Sequence, residues 1–347
     1  MTQGWGQGTG QVGGAWVTFG GRGVVKDVDG ALLLTSTEGY GVKMNMQIER
    51  RGFCRTVVSV AIVLLVSAGC VAGQGRGSRP NIVYINVDDL GWADLGCQGS
   101  GFYETPNIDR LAGEGMVFTN AYACAANCAP SRACVMTGQY TPRHGVYTVG
   151  NSDRGKAADR KLIPTKNTLF IEAGNTTIAQ VLQGAGYRTC VAGKWHISKD
   201  PTENGFDVNI GGCDWGHPHG GYFSPYKNPK LEDGPKGEYL TDRLATEVIE
   251  FIRESKDGPF FLYFPFYTVH SPIQAKAEMK ERFDGKETTK AHNNAKYAGM
   301  IASLDENVGR VLATLEELGL ADNTFVLFSS DNGGGWKTSK QWPLRAG

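Results

Sequence analysis

The sequence predicts an α/β protein built on an open, largely parallel sheet with helices on both faces. Three observations carry this. Short apolar runs rich in β-branched and aromatic residues, too short for helices, alternate with segments whose apolar residues recur at helical spacing. Polar and ionisable residues follow those runs directly, which is where ligands bind in such sheets. No internal repeat interrupts the alternation.

The chain has 347 residues, 41% hydrophobic and 20% charged, which fits a packed core rather than disorder. Its formal net charge is zero. A sequence-blind nucleic-acid binder needs an excess of positive charge, so that class is disfavoured.

Residues 1–43 are Gly-rich, lack an apolar period and receive no assigned fold. Residues 44–78 read as an export signal and linker. Basic residues around Arg50-Arg51, an uncharged run from Thr56 to Ala68, and the small residues Ser67-Ala68-Gly69 follow in the order of an export leader. The run falls short of the roughly 20 apolar residues of a comfortable membrane span, although an uncleaved anchor is the competing reading. Arg50-Arg51-Gly52-Phe53 partly fits a twin-arginine leader, pointing to a bacterial periplasm or cell surface. A start at Met44 or Met46 suits this pattern.

The folded part opens at Pro80. Asn81 to Val87 reads as a buried strand, with Asp88-Asp89 immediately after it. Thr105-Pro106 starts a helix that Gly113 and Gly115 end. Pro130 suits a first helical residue, because its missing N–H has no partner there, so a helix is predicted from Pro130 to Thr137 with Cys128 just ahead of it. The Cys128 thiol would then face free N–H groups and a positive dipole end, or else be a small apolar side chain beside a helix. Thr176-Thr177 caps a helix from Ile178 to Gln183, and Tyr187 to Ala192 is a strand leading into Gly193-Lys194-Trp195-His196. Residues 211–236 form a long surface loop in which Trp215, His217, His219, Tyr222 and Tyr226 either contact a sugar or pack the loop. A helix over 238–254, a strand over 260–266 followed by His270-Ser271-Pro272, a long helix carrying Tyr297 to Leu315 and stopped by Gly319, and a strand over 324–329 followed by Asp331-Asn332 complete the pattern.

Asp88, Asp89, Lys194, His196, His270, Asp331 and Asn332 thus all lie just beyond strand ends, so one crevice can gather them. Singly each has a bland reading as a turn or loop residue. Together Asp88, Asp89, Asp331 and Asn332 offer only oxygen ligands, which suit calcium, or magnesium, better than zinc. Lys194 and Arg132 supply fixed positive charge for an oxyanion, and His196 and His270 exchange protons near neutrality. A helix N-terminus contributes about 0.3–1 kcal/mol, whereas one unit-charge contact near a surface is worth about 4 kcal/mol. The charged set should therefore dominate anion binding. The six cysteines beyond residue 78 form no Cys-x-x-Cys pair, which argues against a zinc ribbon.

These motifs resemble a known family. Cys128-Ala129-Pro130-Ser131-Arg132 with Met136-Thr137-Gly138 is similar to the type I, formylglycine-dependent sulfatase signature. The stretch from Asn81 to Asp89, Gly193 to His196, His270 to Pro272 and Ser330 to Gly333 match its other motifs in order. The resemblance covers residues 79–347 and implies an incomplete N-terminal catalytic domain of alkaline-phosphatase-like fold: three layers, α/β/α, on a large, mostly parallel mixed sheet. A smaller C-terminal subdomain and a further sulfate-binding lysine would follow Gly347. It further implies that a formylglycine-generating enzyme oxidises Cys128 to an aldehyde whose hydrate attacks the sulfur of an aryl or sugar sulfate. By the same match Asp88, Asp89, Asp331 and Asn332 hold calcium together with the modified Cys128, and Asp331 assists as base. Lys194 and Arg132 bind sulfate, His270 protonates the leaving oxygen, and His196 takes the proton whose loss expels sulfate. Two other readings are a phosphonate or phosphodiester hydrolase on the same fold and an inactive, glycan-binding fragment.

Overall fold

The computed structural model describes residues 15–18, 26–28, 31–33, 79–289, 292–335, 337–339 and 341. The predicted export segment and the residues after 341 lie outside these. The chain divides into two compact units, residues 1–20 with 80–347, and residues 21–79. In the smaller unit the described residues form an antiparallel pair, β2 (Lys26–Val28) and β3 (Ala31–Leu33).

The larger unit contains β1 (Ala15–Thr18), β4 (Asn81–Val87), α1 (Pro106–Glu114), β5 (Met116–Phe118), α2 (Cys128–Thr137), α3 (Thr141–His144), α4 (Ile178–Gly184), β6 (Arg188–Ala192), β7 (Val208–Ile210), α5 (Leu240–Ser255), β8 (Phe260–Pro265), α6 (Ala277–Glu281), α7 (Ala295–Glu317) and β9 (Thr324–Ser330). Seven strands form one sheet in the order β5-β1-β9-β4-β8-β6-β7. The five strands from β9 to β7 are parallel, and β1 runs antiparallel to both β5 and β9. The mixed, mostly parallel sheet is thus as predicted. β1 lies in the Gly-rich stretch to which sequence periodicity assigns nothing.

Strand alternation builds the three layers. Val83, Ile85 and Val87 of β4 and Phe260, Leu262 and Phe264 of β8 point into one core with Leu244, Val248 and Ile252 of α5 and Ile301, Leu304 and Val308 of α7. Phe261 and Tyr263 of β8 point the other way, joining Ala129, Ala133 and Met136 of α2 and Ala179 of α4, and Tyr84 of β4 packs against that second core. All six residues of β8 are buried, as a strand covered on both faces must be.

Local chemistry sets the element ends. Thr177 forms a capping box with Gln180 at the start of α4. Asn294 caps α7 by accepting from the Tyr297 N–H. Gly138 ends α2 in the left-handed conformation, returning its N–H to the Cys134 carbonyl. One expectation is corrected here. The helix begins at Cys128 rather than Pro130, so Cys128 occupies its first turn. None of the first N–H groups of a helix has an intrahelical partner, so a proline is compatible with the third position as well as the first. The loop between β7 and α5 is less superficial than expected, for Tyr222, Tyr226 and Leu231 are buried.

Candidate active site

The parallel strands bring their carboxyl ends to one edge. β4 delivers Asp88 and Asp89, β6 delivers Lys194 and His196, the segment after β8 delivers His270, and β9 delivers Asp331 and Asn332. The first turn of α2 faces them with Cys128 and, one turn on, Arg132. Gly193 makes the turn after β6 feasible. Its φ is +116°, and a Cβ there would stand 2.2 Å from the Pro265 carbonyl oxygen. Asp89 and His196 hold positive φ, 54° and 72°, without being glycine. Backbone strain of this kind persists where surrounding contacts over-determine it, characteristically at functional sites.

One carboxylate oxygen from each of Asp88, Asp89 and Asp331 lies within 4.8 Å of the others. A second group, the Cys128 sulfur with Asp88 and His270, meets the same limit. Asp88 is fully buried, and its Oδ2 accepts from Lys194 Nζ at 2.5 Å. Arg132, 1% exposed, donates from Nε to Asp331 Oδ2 at 2.8 Å and from Nη1 to the Lys194 carbonyl. Its Nη2 stands 3.8 Å from Asp88 Oδ1. Ser131 donates its hydroxyl to the Asp331 carbonyl. Asn332 Nδ2 donates to Asp89 Oδ1 at 2.7 Å, and His270 Nε2 stands 3.6 Å from Asp89 Oδ2. Asp88, Asp89, Cys128, Arg132, Lys194, His270, Asp331 and Asn332 therefore meet in this crevice, and His196 lies near enough to feel the charges of Lys194 and Arg132.

Burial works against the Lys194 charge, but Asp88 outweighs it and holds the ammonium above the usual lysine value. Burial pushes the Asp88 carboxyl up, against the opposing pull of Lys194. An ammonium so stabilised at 2.5 Å requires an anion opposite, so we take Asp88 as the carboxylate; its upward push marks the strain a bound cation would relieve. Burial also pushes Asp331 up, yet Arg132 prevails and holds it below the usual carboxylate range. His196 is driven down to about 2 by burial and then by Lys194 and Arg132, so it is a neutral imidazole. His270 is lowered by burial and by Lys194, with Asp89 opposing. Its Nδ1 can only donate to the Ser271 carbonyl, 2.8 Å away, which leaves Nε2 facing the crevice. Burial pushes the Cys128 thiol up to about 11. The helix end does not make it a thiolate, because burial and the carboxylates of Asp88 and Asp331 outweigh a first-turn dipole. Unmodified Cys128 is thus a poor nucleophile.

The sequence profile of the sulfatase family matches residues 80–345, a span that takes in every side chain just described. The chain belongs to the sulfatase family. It is 33% identical over 312 residues to N-acetylgalactosamine-6-sulfatase of Rattus norvegicus, covering 81% of this chain and 55% of that protein. It is 31% identical over 367 residues to a sulfatase of Formosa agariphila, covering 86% of this chain and 66% of that one. Among solved structures, Ps i-CgsB in complex with k-i-k-neocarrahexaose superposes with a TM-score of 0.64 at 32% identity, covering 78% and 62% of the two chains. The chain thus spans between about half and two thirds of the length of these relatives.

The residues of this site fit a hard cation. Asp88 Oδ1 and Asn332 Oδ1 are buried oxygens with no hydrogen-bond partner, beside the unpartnered Arg132 Nη2 and His196 Nδ1. Buried acceptors without donors are costly, and a hard cation would supply what they lack. Sequence reasoning passed over part of the surround. Gly216 presses on His196, since a Cβ there would lie 2.7 Å from Cε1. His217 lies over His270 with ring centroids 6.2 Å apart, and Trp215 stacks on His219 at 4.0 Å. A cleft of about 580 Å³ opens between His217–Gly221 and His270–Gln274. The cluster of aromatic and His residues in the long loop was the available signal, but spacing alone could not separate Trp215, His217 and His219 from the buried Tyr222 and Tyr226.

Proposed function

We propose that this chain carries the catalytic centre of a sulfuric ester hydrolase acting on sulfated carbohydrate. The observation that supports it best is the Cys128 thiol in the first turn of α2, grouped with Asp88 and His270 and opposite the carboxylate trio. Asp88, Asp89, Asp331 and Asn332 hold calcium, with the modified Cys128 completing the set. When bound, the cation neutralises the carboxylates and draws a sulfate oxygen into the crevice. Cys128, oxidised to formylglycine by a formylglycine-generating enzyme, supplies a hydrated aldehyde as nucleophile.

The remaining roles belong to side chains of this chain. Arg132 and Lys194 are fixed by Asp331 and Asp88, so they present positive charge to sulfate without reorganising. His270 turns Nε2 toward the leaving oxygen; with Nδ1–H given to the Ser271 carbonyl, Nε2 must first take up a proton to act as the acid, and the adjacent Asp89 carboxylate favours that uptake. His196, neutral and roofed by Gly216, accepts a proton at the end of the cycle. Burial of the charged set excludes water, which strengthens each of these contacts.

The carbohydrate reading rests on the relatives, one named for N-acetylgalactosamine 6-sulfate and one seen with a neocarrahexaose, and on the cleft beside His270. An exported location rests on the basic, apolar and small-residue order of residues 49–69.

The test is co-expression of the full chain with a formylglycine-generating enzyme, followed by mass spectrometry of the Cys128 peptide and assay of sulfate release. An aldehyde at Cys128, with turnover of a sulfated sugar that Cys128→Ala lacks, is the expected result. An unmodified cysteine throughout, or equal turnover by Cys128→Ala, overturns the reading.

A further inference from the structure

Among the described residues, seven buried side-chain nitrogen or oxygen atoms have no hydrogen-bond partner. Four line the crevice. The other three, Asp94 Oδ1, Tyr103 Oη and His292 Nε2, belong to one cluster behind the turn that carries Asp88 and Asp89. Asp94 is completely buried, Tyr103 is 2% exposed and His292 8%. The rings of Tyr103 and His292 pack with centroids 4.8 Å apart, and Tyr103 stands edge-on to Tyr297 at 5.6 Å. His292 Nε2 lies 3.8 Å from Asp94 Oδ1, too far for a direct hydrogen bond, so neither atom satisfies the other.

The other Asp94 oxygen is fully engaged. Oδ2 accepts from the Gly91 N–H at 3.0 Å and from the Tyr297 hydroxyl at 2.8 Å. Ser339 closes over the same point, for a Cβ on Gly91 would meet Ser339 Oγ at 2.2 Å and Asp94 Oδ2 at 2.6 Å. The one proton of the Tyr297 hydroxyl goes to Asp94 Oδ2, so its 3.4 Å approach to the carbonyl oxygen of Asp89, the residue held at positive φ, is packing, and the Gly91 N–H is what fastens the turn to Asp94. Asp94 therefore ties the metal-side turn to α7 and to the segment after β9.

The chemistry of the unpartnered trio selects its occupant. One carboxylate oxygen, one phenol and one imidazole nitrogen are too few and too weakly charged for calcium, which takes six to eight oxygens. They match a single water, which in protein interiors makes about three hydrogen bonds to groups otherwise left unsatisfied. We propose that Asp94, Tyr103 and His292 enclose one internal water, and that Asp94, held by Tyr297 and bonded to the Gly91 N–H two residues past Asp89, is a positioning residue that keeps Asp89 in its metal-binding conformation. The second half rests on Asp89 being a metal ligand.

Two measurements on the full chain test this. A high-resolution crystal structure should show one solvent peak about 2.6–3.2 Å from Asp94 Oδ1, Tyr103 Oη and His292 Nε2. A direct Asp94–His292 hydrogen bond with no solvent peak, or a metal ion at that point, overturns the water. Calorimetric titration with calcium chloride should show Tyr297→Phe binding about tenfold more weakly than the unaltered chain, the lower end for groups that orient metal ligands. Calcium affinity is a readout that loss of packing alone would not move in a variant still folded by circular dichroism. Equal affinities overturn the positioning role. Should the unaltered chain bind no calcium, the metal reading of the crevice fails and the positioning role falls with it, whereas the water is judged separately from the density.

Discussion

At the scale of single residues, the crevice is a balance between burial and pairing. Lys194 and Asp88 are both fully buried, so each depends on the other. Removing one partner of such a pair costs about 3–5 kcal/mol, because the remaining charge is left uncompensated. Lys194→Met should lose stability on that order in urea denaturation, and calcium should restore part of it by taking over the Asp88 charge. Cys128 makes the complementary point. With its thiol pushed up to about 11 it stays protonated at neutral pH and is a poor nucleophile unmodified, so the proposed activity depends on its conversion to an aldehyde. Cys128→Ser should lower kcat for sulfate release by on the order of a thousandfold or more, measured on chain matured with a formylglycine-generating enzyme. The residue types at this site were legible in the sequence; their ionisation was not, because it depends on carboxylates brought in from positions 40 residues before and 203 residues after Cys128.

At the scale of elements, short local signals and tertiary clashes carry different weights. The Thr177–Gln180 capping box is local, and Thr177→Ala should cost about 1 kcal/mol. Gly193→Ala meets both a forbidden φ and the Pro265 carbonyl, so its cost should be larger, on the order of 3 kcal/mol, in the same denaturation series. Asp200 sets an acid limit on the segment between β6 and β7. Burial works upward on its carboxyl, but Lys230 and Thr202 outweigh it and bring it down from 3.8 to about 2. A carboxyl depressed in the fold contributes stability that is complete above its unfolded value and is lost as pH falls through its folded one. The melting temperature should therefore decline between pH 3.8 and about 2, and Asp200→Asn should flatten that decline. Salt should weaken the effect, since Lys230 and Asp200 are partly exposed.

At the scale of the whole molecule, the site exists only because four sheet segments and one helix end converge. A ligand that bridges them should stabilise the fold as a unit. Calcium at about one hundred times its dissociation constant adds about 2.7 kcal/mol by mass action, so the melting temperature should rise with calcium and fall back on chelation. Asp88→Asn should abolish that rise. A chain whose melting is indifferent to calcium, while Asp88→Asn behaves as the parent does, would count against a metal in this crevice.

What the sequence determined by itself is what local chemistry encodes. The alternation of strands and helices, the cap at Thr176-Thr177, the position of each acidic or basic group just past a strand, and the family of the chain were all readable from residue order, because period, capping and motif spacing act over a few neighbours. Three features were decided only by tertiary structure. β1 joins the sheet by pairing with β9, more than 300 residues away. The Asp94–Tyr103–His292 cluster unites two segments about 190 residues apart. His217 and His219 line the cleft beside His270, and Tyr222 in the same loop contacts the segment after β8 through the Tyr267 and His270 carbonyls and Gln274. Such contacts pay a loop-closure entropy that grows only slowly with separation, so packing at the far end, not anything in the local residue pattern, selects them.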